Sequence, residues 1–365
     1  MLVEADQDHQ HTFYVLDPDP DCPAVRTGAR HVPGNPATGE NFASLATQVD
    51  IVSIDLENVC VDTLTEVHDS GVRVLPPVSL LARVTNKLEQ KKWLQELQLP
   101  TAPFAAHDGN QPIDPSPFGF PVVQKAARGG YDGRGVAVLR SPEDNASRLR
   151  VAGFVEQYIE HRMELSVIVV ASGSGDTRAY DPVEMLFRSD GNVLDYLIAP
   201  ARIDANLQDQ ARQLATTAIR SMGGIGVFGV EMFLTPDNTL LINEISPRTH
   251  NSGHYTREAC KASQFDQQLR ILTDQPLAAL DQYSPAVMFN LLGEAGFSGD
   301  PELEDSCSDA EKQGVYIHLY GKKHCFPGRK MGHVTVLGKN VGDALERASN
   351  IKQKIIVRGA SPIEN

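Results

Sequence analysis

At 365 residues, with 41% hydrophobic and 22% charged side chains, the chain is long enough for two or three domains and is neither disordered nor fibrous in composition. Its formal net charge of -14 excludes a general positive field of the kind that holds nucleic acid or anionic membrane, so an anionic ligand must meet a local basic cluster. No apolar run has the length of a membrane span and no basic-then-apolar leader opens the chain, which points to the cytoplasm.

The opening decapeptide reads as part of a helix and is followed by the strand "TFYVLDPDP". No strand and glycine turn of the kind that opens a βαβ unit precede it, so the first α/β domain is expected to begin late. A second strand, "VDIVSIDLENV", runs to Asp55 and Glu57, and "GVRVLPP" supplies a third before two prolines stop it. Helical stretches at 60–69 and 86–97 alternate with strands, which predicts a small parallel sheet. Between 79 and 98, Leu80, Leu81, Val84, Leu88, Trp93, Leu94 and Leu97 recur at helical spacing, and the pattern predicts one helix leading into a second domain. A proline- and glycine-rich loop follows over 108–121. The five cysteines, Cys22, Cys60, Cys260, Cys307 and Cys325, show no two-residue spacing and read as reduced structural thiols.

"VVQKAARGGYDGRGVAVL" places a glycine-rich loop between two strands. It has neither the GK[ST] ending of a Walker loop nor the G-x-G-x-x-G that opens a dinucleotide-binding helix. A glycine hairpin can lie over phosphates as a flap, with Lys125 offering a point charge from the strand before it; a plain hairpin fits the same residues. "FVEQYIEHRMELSVIVV" reads as two strands whose junction is flanked by Glu156 and Glu164, acceptors for an adenine amino group or a ribose diol, or simply a solvated acidic turn.

"GVFGVEMFLTPDNTLLINEIS" reads as a hairpin. With Asp237 and Asn238 as the central turn residues, Thr235 faces Leu240 and Glu231 faces Glu244. Like charges directly opposite are destabilising, so the pair calls for a cation or a raised pKa. Oxygen-only ligands favour a hard ion such as Mg2+ shared with substrate phosphates, and Asn243 stands beside them. Donors follow at once: Arg248, His250, Asn251, Ser252 and His254, in a loop with Pro247 and Gly253, suited to collecting an oxyanion. A zinc reading of His250 and His254 lacks a third ligand, and Gly253 weakens the helix it needs.

The segments "GGYDGRG", "NEISPRTHNSGH", "SQFDQQLR" and "YGKKHCFPGRKMGH", in this order over nearly the whole chain, resemble the ATP-grasp superfamily and within it the 5-(carboxyamino)imidazole ribonucleotide synthases of purine biosynthesis. That resemblance implies a mixed α/β and α+β protein: an N-terminal Rossmann-like pre-ATP-grasp domain over 1–79, truncated in that its first strand and glycine turn are missing, an ATP-grasp domain over 80–275 with a flap subdomain at about 104–160, and a small C-terminal β-rich domain over 276–365. It implies that ATP phosphorylates bicarbonate and that aminoimidazole ribonucleotide is carboxylated, with a homodimer expected.

Carried over residue by residue, the resemblance puts Lys125 and the loop Gly130, Tyr131, Asp132, Gly133, Arg134 and Gly135 on the ATP phosphates. Adenine falls to Glu156, Gln157, Tyr158 and Ile159, and the ribose to Glu164. Mg2+ falls to Glu231 and Glu244, with Asn243 beside them at the nucleotide. Bicarbonate or carboxyphosphate falls to Arg248, His250 and Asn251, with Tyr131 and Arg134 reaching over from the flap. The ribonucleotide is expected at Glu57 and at the basic hairpin, where Arg329, Lys330 and Lys322 are the candidates. The chain departs from the pattern in three places: the missing opening turn, Asn86-Lys87 where relatives have Asp-Arg, and Phe187 where some carry a histidine near the nucleotide. A ligase for another acid and amine, and a nucleotide-binding protein without ligase activity, are the alternative readings.

Overall fold

The computed structural model describes residues 1–129, 135–188 and 193–363. Two short parallel pairs open it: β1 (Tyr14–Asp17) with β2 (Arg30–Pro33), and β3 (Ile51–Ser53) with β4 (Arg73–Leu75). Parallel neighbours need crossovers, and α1 (Leu2–Ala5), α2 (Pro23–Arg26), α3 (Phe42–Ala46) and α4 (Val61–Asp69) accompany them. Leu16, Val32, Val52 and Val74 from the four strands meet Leu45, Leu64 and Val67 from the helices in one core. The strand read as running to Asp55 and Glu57 stops at Ser53. Its partner β4 offers three ladder positions before Pro76 and Pro77 intervene, and Pro76 has no N–H to pair.

The single helix read over 79–98 is two, α5 (Val78–Val84) and α6 (Lys87–Glu96). Asn86 takes an extended conformation between them, and its Oδ1 accepts from the Leu88 and Glu89 amides at 3.0 and 3.3 Å. Apolar spacing continues across the break, so periodicity alone hides it, whereas an asparagine that caps the following turn is the signal that reveals it.

A four-stranded antiparallel sheet follows, in the order β5 (Phe104–His107), β8 (Gly153–Gln157), β6 (Val122–Ala126), β7 (Val136–Leu139). Strands β6 and β7 pair as the two arms of the glycine hairpin, Lys125 opposite Val136.

Among the described residues, nine strands form the main sheet. They are β9 (Met163–Ala171), β10 (Thr177–Ala179), β11 (Val183–Phe187), β12 (Leu194–Ala199), β13 (Gly226–Leu234), β14 (Leu240–Ser246), β15 (Ala286–Leu292), β17 (Val315–Leu319) and β18 (Lys330–Leu337). Hydrogen bonding runs β14-β13-β9-β11-β12-β15-β18-β17, with β10 on β9, while β16 (Phe297–Asp305) pairs separately with β19 (Ile355–Pro362). Helices α7 (Ala205–Ser221), α8 (Thr256–Ala259), α9 (Gln264–Leu272), α10 (Asp309–Lys312) and α11 (Val341–Lys352) complete the chain.

Strand alternation decides where the site lies. Leu165, Val167 and Val169 of β9 and Phe228, Val230 and Met232 of β13 bury against Ala211, Ala215 and Ala218 of α7. The alternate residues point the other way. Ile168 and Val170 meet Tyr255 and Ile271, while Glu164, Ser166, Gly229 and Glu231 hold the remainder of that face, which is left polar.

Candidate active site

The hairpin of β13 and β14 brings Glu231 opposite Glu244. It does so by a different route from the one the sequence suggests. Thr235 closes on Thr239, N to O at 3.0 Å with Asn238 left-handed at φ 67°, so the turn holds three residues, 236–238, in place of two, and Leu240 faces Leu234 and not Thr235. A bulge then inserts Asn243 between the Ile242 and Glu244 pairings, which restores the expected partner for Glu231. Bulges re-aim side chains, and here the extra residue meets Lys125, whose Nζ donates to Asn243 Oδ1 at 2.7 Å.

Burial in the cleft and, after it, the Glu244 and Glu164 charges push the Glu231 carboxyl up to about 7. Lys87 Nζ lies 2.8 Å from Glu244 Oε2 and supplies part of the missing positive charge. The altered Asn86-Lys87 dipeptide is therefore part of the site: Asn86 caps α6 and Lys87 reaches Glu244. Two facing carboxylates and an amide oxygen, crowded enough to hold one carboxyl near 7, form a donor set that fits a hard divalent cation.

Beyond β14, Arg248 Nε sits 2.8 Å from Glu57 Oε1, bringing the N-terminal α/β part to the site. His250 is held on all sides. Its Nδ1 accepts from the Ser252 amide at 3.3 Å and lies 2.8 Å from Ser252 Oγ, and its Nε2 is 3.5 Å from Glu231 Oε1. The Nδ1 contact assigns the ring hydrogen to Nε2. Burial first, and then the nearby Arg248 and Lys330 charges, lower its pKa to about 3, so the imidazole is neutral at physiological pH. Gln264, fully buried, clamps the loop: its Oε1 accepts from His250 N at 2.9 Å and its Nε2 donates to His250 O at 2.7 Å. Asn251 Nδ2 donates to Asn290 Oδ1 on β15 at 3.1 Å.

The Glu156 carboxylate is nearly fully buried, with Lys125 Nζ at 2.6 Å and Lys91 Nζ at 2.9 Å. The carboxylate is thus engaged by two ammonium groups. Glu164 lines a cavity of about 250 Å³ together with Phe187. Gly130, Tyr131, Asp132, Gly133 and Arg134 lie outside the described residues; Gly135 is described and accepts from the Ala126 amide at 2.8 Å.

The basic hairpin divides. Lys330 stands near enough to His250 to lower its basicity, and Lys322 Nζ donates to Lys330 O at 2.7 Å. Arg329 instead donates to His324 O at 2.7 Å and covers the Phe326 ring within the hairpin loop. Lys323 pairs with Asp21, and Arg26 donates to Gly321 O at 3.0 Å, so the hairpin docks on the N-terminal part. Sequence reading missed Lys91, Gln264, Asn290 and Gly229. A Cβ on Gly229 would lie 2.7 Å from His250 Cγ, so glycine there makes room for the ring.

The ATP-grasp domain family matches residues 92–265, the ribonucleotide synthetase preATP-grasp domain 1–84, and the phosphoribosylaminoimidazole carboxylase C-terminal domain 286–347. The N5-carboxyaminoimidazole ribonucleotide synthase of Synechococcus elongatus is 37% identical over 92% of this chain and 86% of the relative. The chain belongs to the N5-carboxyaminoimidazole ribonucleotide synthase family. Among solved structures, the Thermotoga maritima N5-carboxyaminoimidazole ribonucleotide synthetase superposes with a TM-score of 0.89 at 35% identity, covering 98% of this chain and 96% of that one. The Aspergillus clavatus N5-carboxyaminoimidazole synthase in complex with ADP and 5-aminoimidazole ribonucleotide gives 0.85 at 30% identity, covering 97% and 94%.

Proposed function

We propose that the chain carboxylates 5-aminoimidazole ribonucleotide at its exocyclic amine, using ATP and bicarbonate and releasing ADP and phosphate, as a cytoplasmic, homodimeric ligase of purine biosynthesis. The observation that carries this reading is the convergence of an acidic pair, the Lys125 ammonium bonded to Asn243 beside it and a clamped Arg-x-His-Asn loop, with the basic hairpin alongside.

Glu231 and Glu244 would hold Mg2+, with Asn243 beside them, and the ion would supply charge stabilisation for the transferring phosphoryl group. Lys125 and Lys87 add fixed positive charge there. Arg248 orients bicarbonate, and so does neutral His250 through its Nε2 hydrogen. Carboxyphosphate formed in such a place must be kept from water, and Tyr131 and Arg134 of the flap are the residues proposed to cover it. Lys330, with Lys322 behind it, receives the ribonucleotide phosphate, and Arg329 reaches the same anion by leaving the His324 carbonyl. Glu57 fixes Arg248 and faces the ribonucleotide.

The test is phosphate release with ATP, Mg2+ and bicarbonate, with and without 5-aminoimidazole ribonucleotide. Release that rises with the ribonucleotide supports the reading. Release indifferent to it removes the ribonucleotide as substrate and favours a ligase for another acid and amine.

A further inference from the structure

His161 lies in the connection between β8 and β9, outside every role assigned above, yet its ring is fixed on three sides. It stacks on Phe233 of β13 with centroids 4.6 Å apart and planes at 23°. Its Nδ1 is 2.9 Å from the Ile159 carbonyl oxygen, and its Nε2 is 3.4 Å from Glu164 Oε1. A carbonyl and a carboxylate only accept, so Nδ1 must carry a hydrogen, and a bare Nε2 would set its lone pair against the carboxylate. The imidazolium alone satisfies both neighbours.

The surroundings agree. The neighbouring charges are Glu164 on β9, Glu184 on β11 across the cavity, itself paired with Arg202 Nη2 at 2.6 Å, and Arg162, whose guanidinium donates to Asn238 Oδ1 at 2.7 Å. From β13 the stacked residue is uncharged Phe233, while Glu231 on the same strand acts on Glu164. The Glu164 hydrogen bond raises the His161 pKa above 6.5, against burial, and the Ile159 carbonyl adds to the rise. The backbone on either side is tied as well: Arg162 N donates to Leu234 O at 2.9 Å.

We propose that His161 is a positioning residue for the nucleotide: as an imidazolium it ties Glu164 to the Ile159 carbonyl, fixing the carboxylate that accepts the ribose hydroxyls. The proposal rests on the reading of Glu164 as the ribose ligand. It places a charge-dependent clamp between the segment that receives adenine and the residue that receives the sugar. With the clamp formed, Glu164 Oε1 is engaged and Oε2 is the acceptor presented to the diol. Preference for ATP over 2′-deoxy-ATP then depends on the charge of His161.

The experiment measures KM for ATP and for 2′-deoxy-ATP from pH 5.5 to 8.5 in the parent, His161→Phe and Glu164→Ala, together with the NMR titration of the His161 ring. The parent is expected to prefer ATP, with the preference falling as pH rises through the His161 midpoint, itself above 6.5. His161→Phe is expected to compress the preference by about tenfold, equivalent to ~1.4 kcal/mol, and to make it flat with pH. Should the phenylalanine variant not fold, His161→Gln, uncharged and polar, carries the same comparison. If Glu164→Ala abolishes the preference while the His161 variants retain it, or if the parent's preference ignores the His161 midpoint, the clamp is refuted and the ribose site stands. If Glu164→Ala also retains the preference, the ribose assignment itself falls.

Discussion

Replacing Glu156 by glutamine tests whether the site is held together by its buried ion triad. The carboxylate is 3% exposed, Lys91 3% and Lys125 10%, and the change removes one negative charge from between two ammonium groups with almost no change in volume. Breaking a buried pair by removing one partner costs about 3–5 kcal/mol, because the remaining charge is left without compensation. Burial and the neighbouring Lys125 already depress the Lys91 pKa, with Glu156 opposing them, so Lys91 can shed its proton in the variant, and the lower end of that range is expected. For a cooperative unit the size of the matched ATP-grasp segment, residues 92–265, ~3 kcal/mol corresponds to a fall in melting temperature of roughly 6–12 °C.

Thermal unfolding of Glu156→Gln, Lys91→Met and the double variant, followed by circular dichroism, completes the cycle. The double variant is expected to recover part of the loss, since it removes one ammonium together with the negative charge. The pH dependence has a definite sign. The Lys125 and Lys91 charges hold the Glu156 pKa below its ordinary 4.5, against the penalty of burial. Its contribution is therefore present above pH 4.5 and is lost as pH falls through the folded value, so the parent should lose stability there more steeply than the glutamine variant. A Glu156→Gln melting point within about 2 °C of the parent, a shift worth less than ~1 kcal/mol, would refute the triad as the anchor of Lys125.

Two further outcomes follow from particular contacts. Gly229→Ala is expected to drive the His250 ring from its place, since the added Cβ would lie 2.7 Å from Cγ and 2.8 Å from Cβ of His250; about 1–3 kcal/mol of overpacking should appear in thermal melts, with kcat falling more than ATP affinity by calorimetry. The Cys260 thiol, pushed up to about 12 by burial and then by Asp181 and Asp281, should resist iodoacetamide at pH 8 in the native protein while Cys60 and Cys307 react, as peptide mapping would show; labelling of Cys260 at the rate of Cys60 would contradict its burial.

The legible part of the fold was whatever repeats at short range. The α/β alternation of the first 80 residues, the arms of the glycine hairpin and the partnership of Glu231 with Glu244 were all readable from spacing. The last was reached through two compensating slips, a turn one residue longer and a bulge at Asn243, neither of which changes the hydrophobic pattern. What stayed hidden depends on contacts far apart in sequence. Lys91 looks like a solvated helix residue until it meets Glu156, far along the chain. Gln264 is an ordinary helix-former in the sequence, yet in the structure its amide satisfies the backbone of His250. Nor does spacing reveal that β15, β17 and β18 extend the sheet that carries the acidic pair, because strand partners are not written in strand sequences.

The most direct test of the whole account is the fate of a bicarbonate oxygen. With 18O-labelled bicarbonate, ATP, Mg2+ and 5-aminoimidazole ribonucleotide, mass spectrometry of the released phosphate should find a single oxygen derived from bicarbonate in each phosphate, as attack of bicarbonate on the γ-phosphorus requires. Unlabelled phosphate would mean that water cleaves ATP at this site, and the carboxylating reaction proposed here would be wrong.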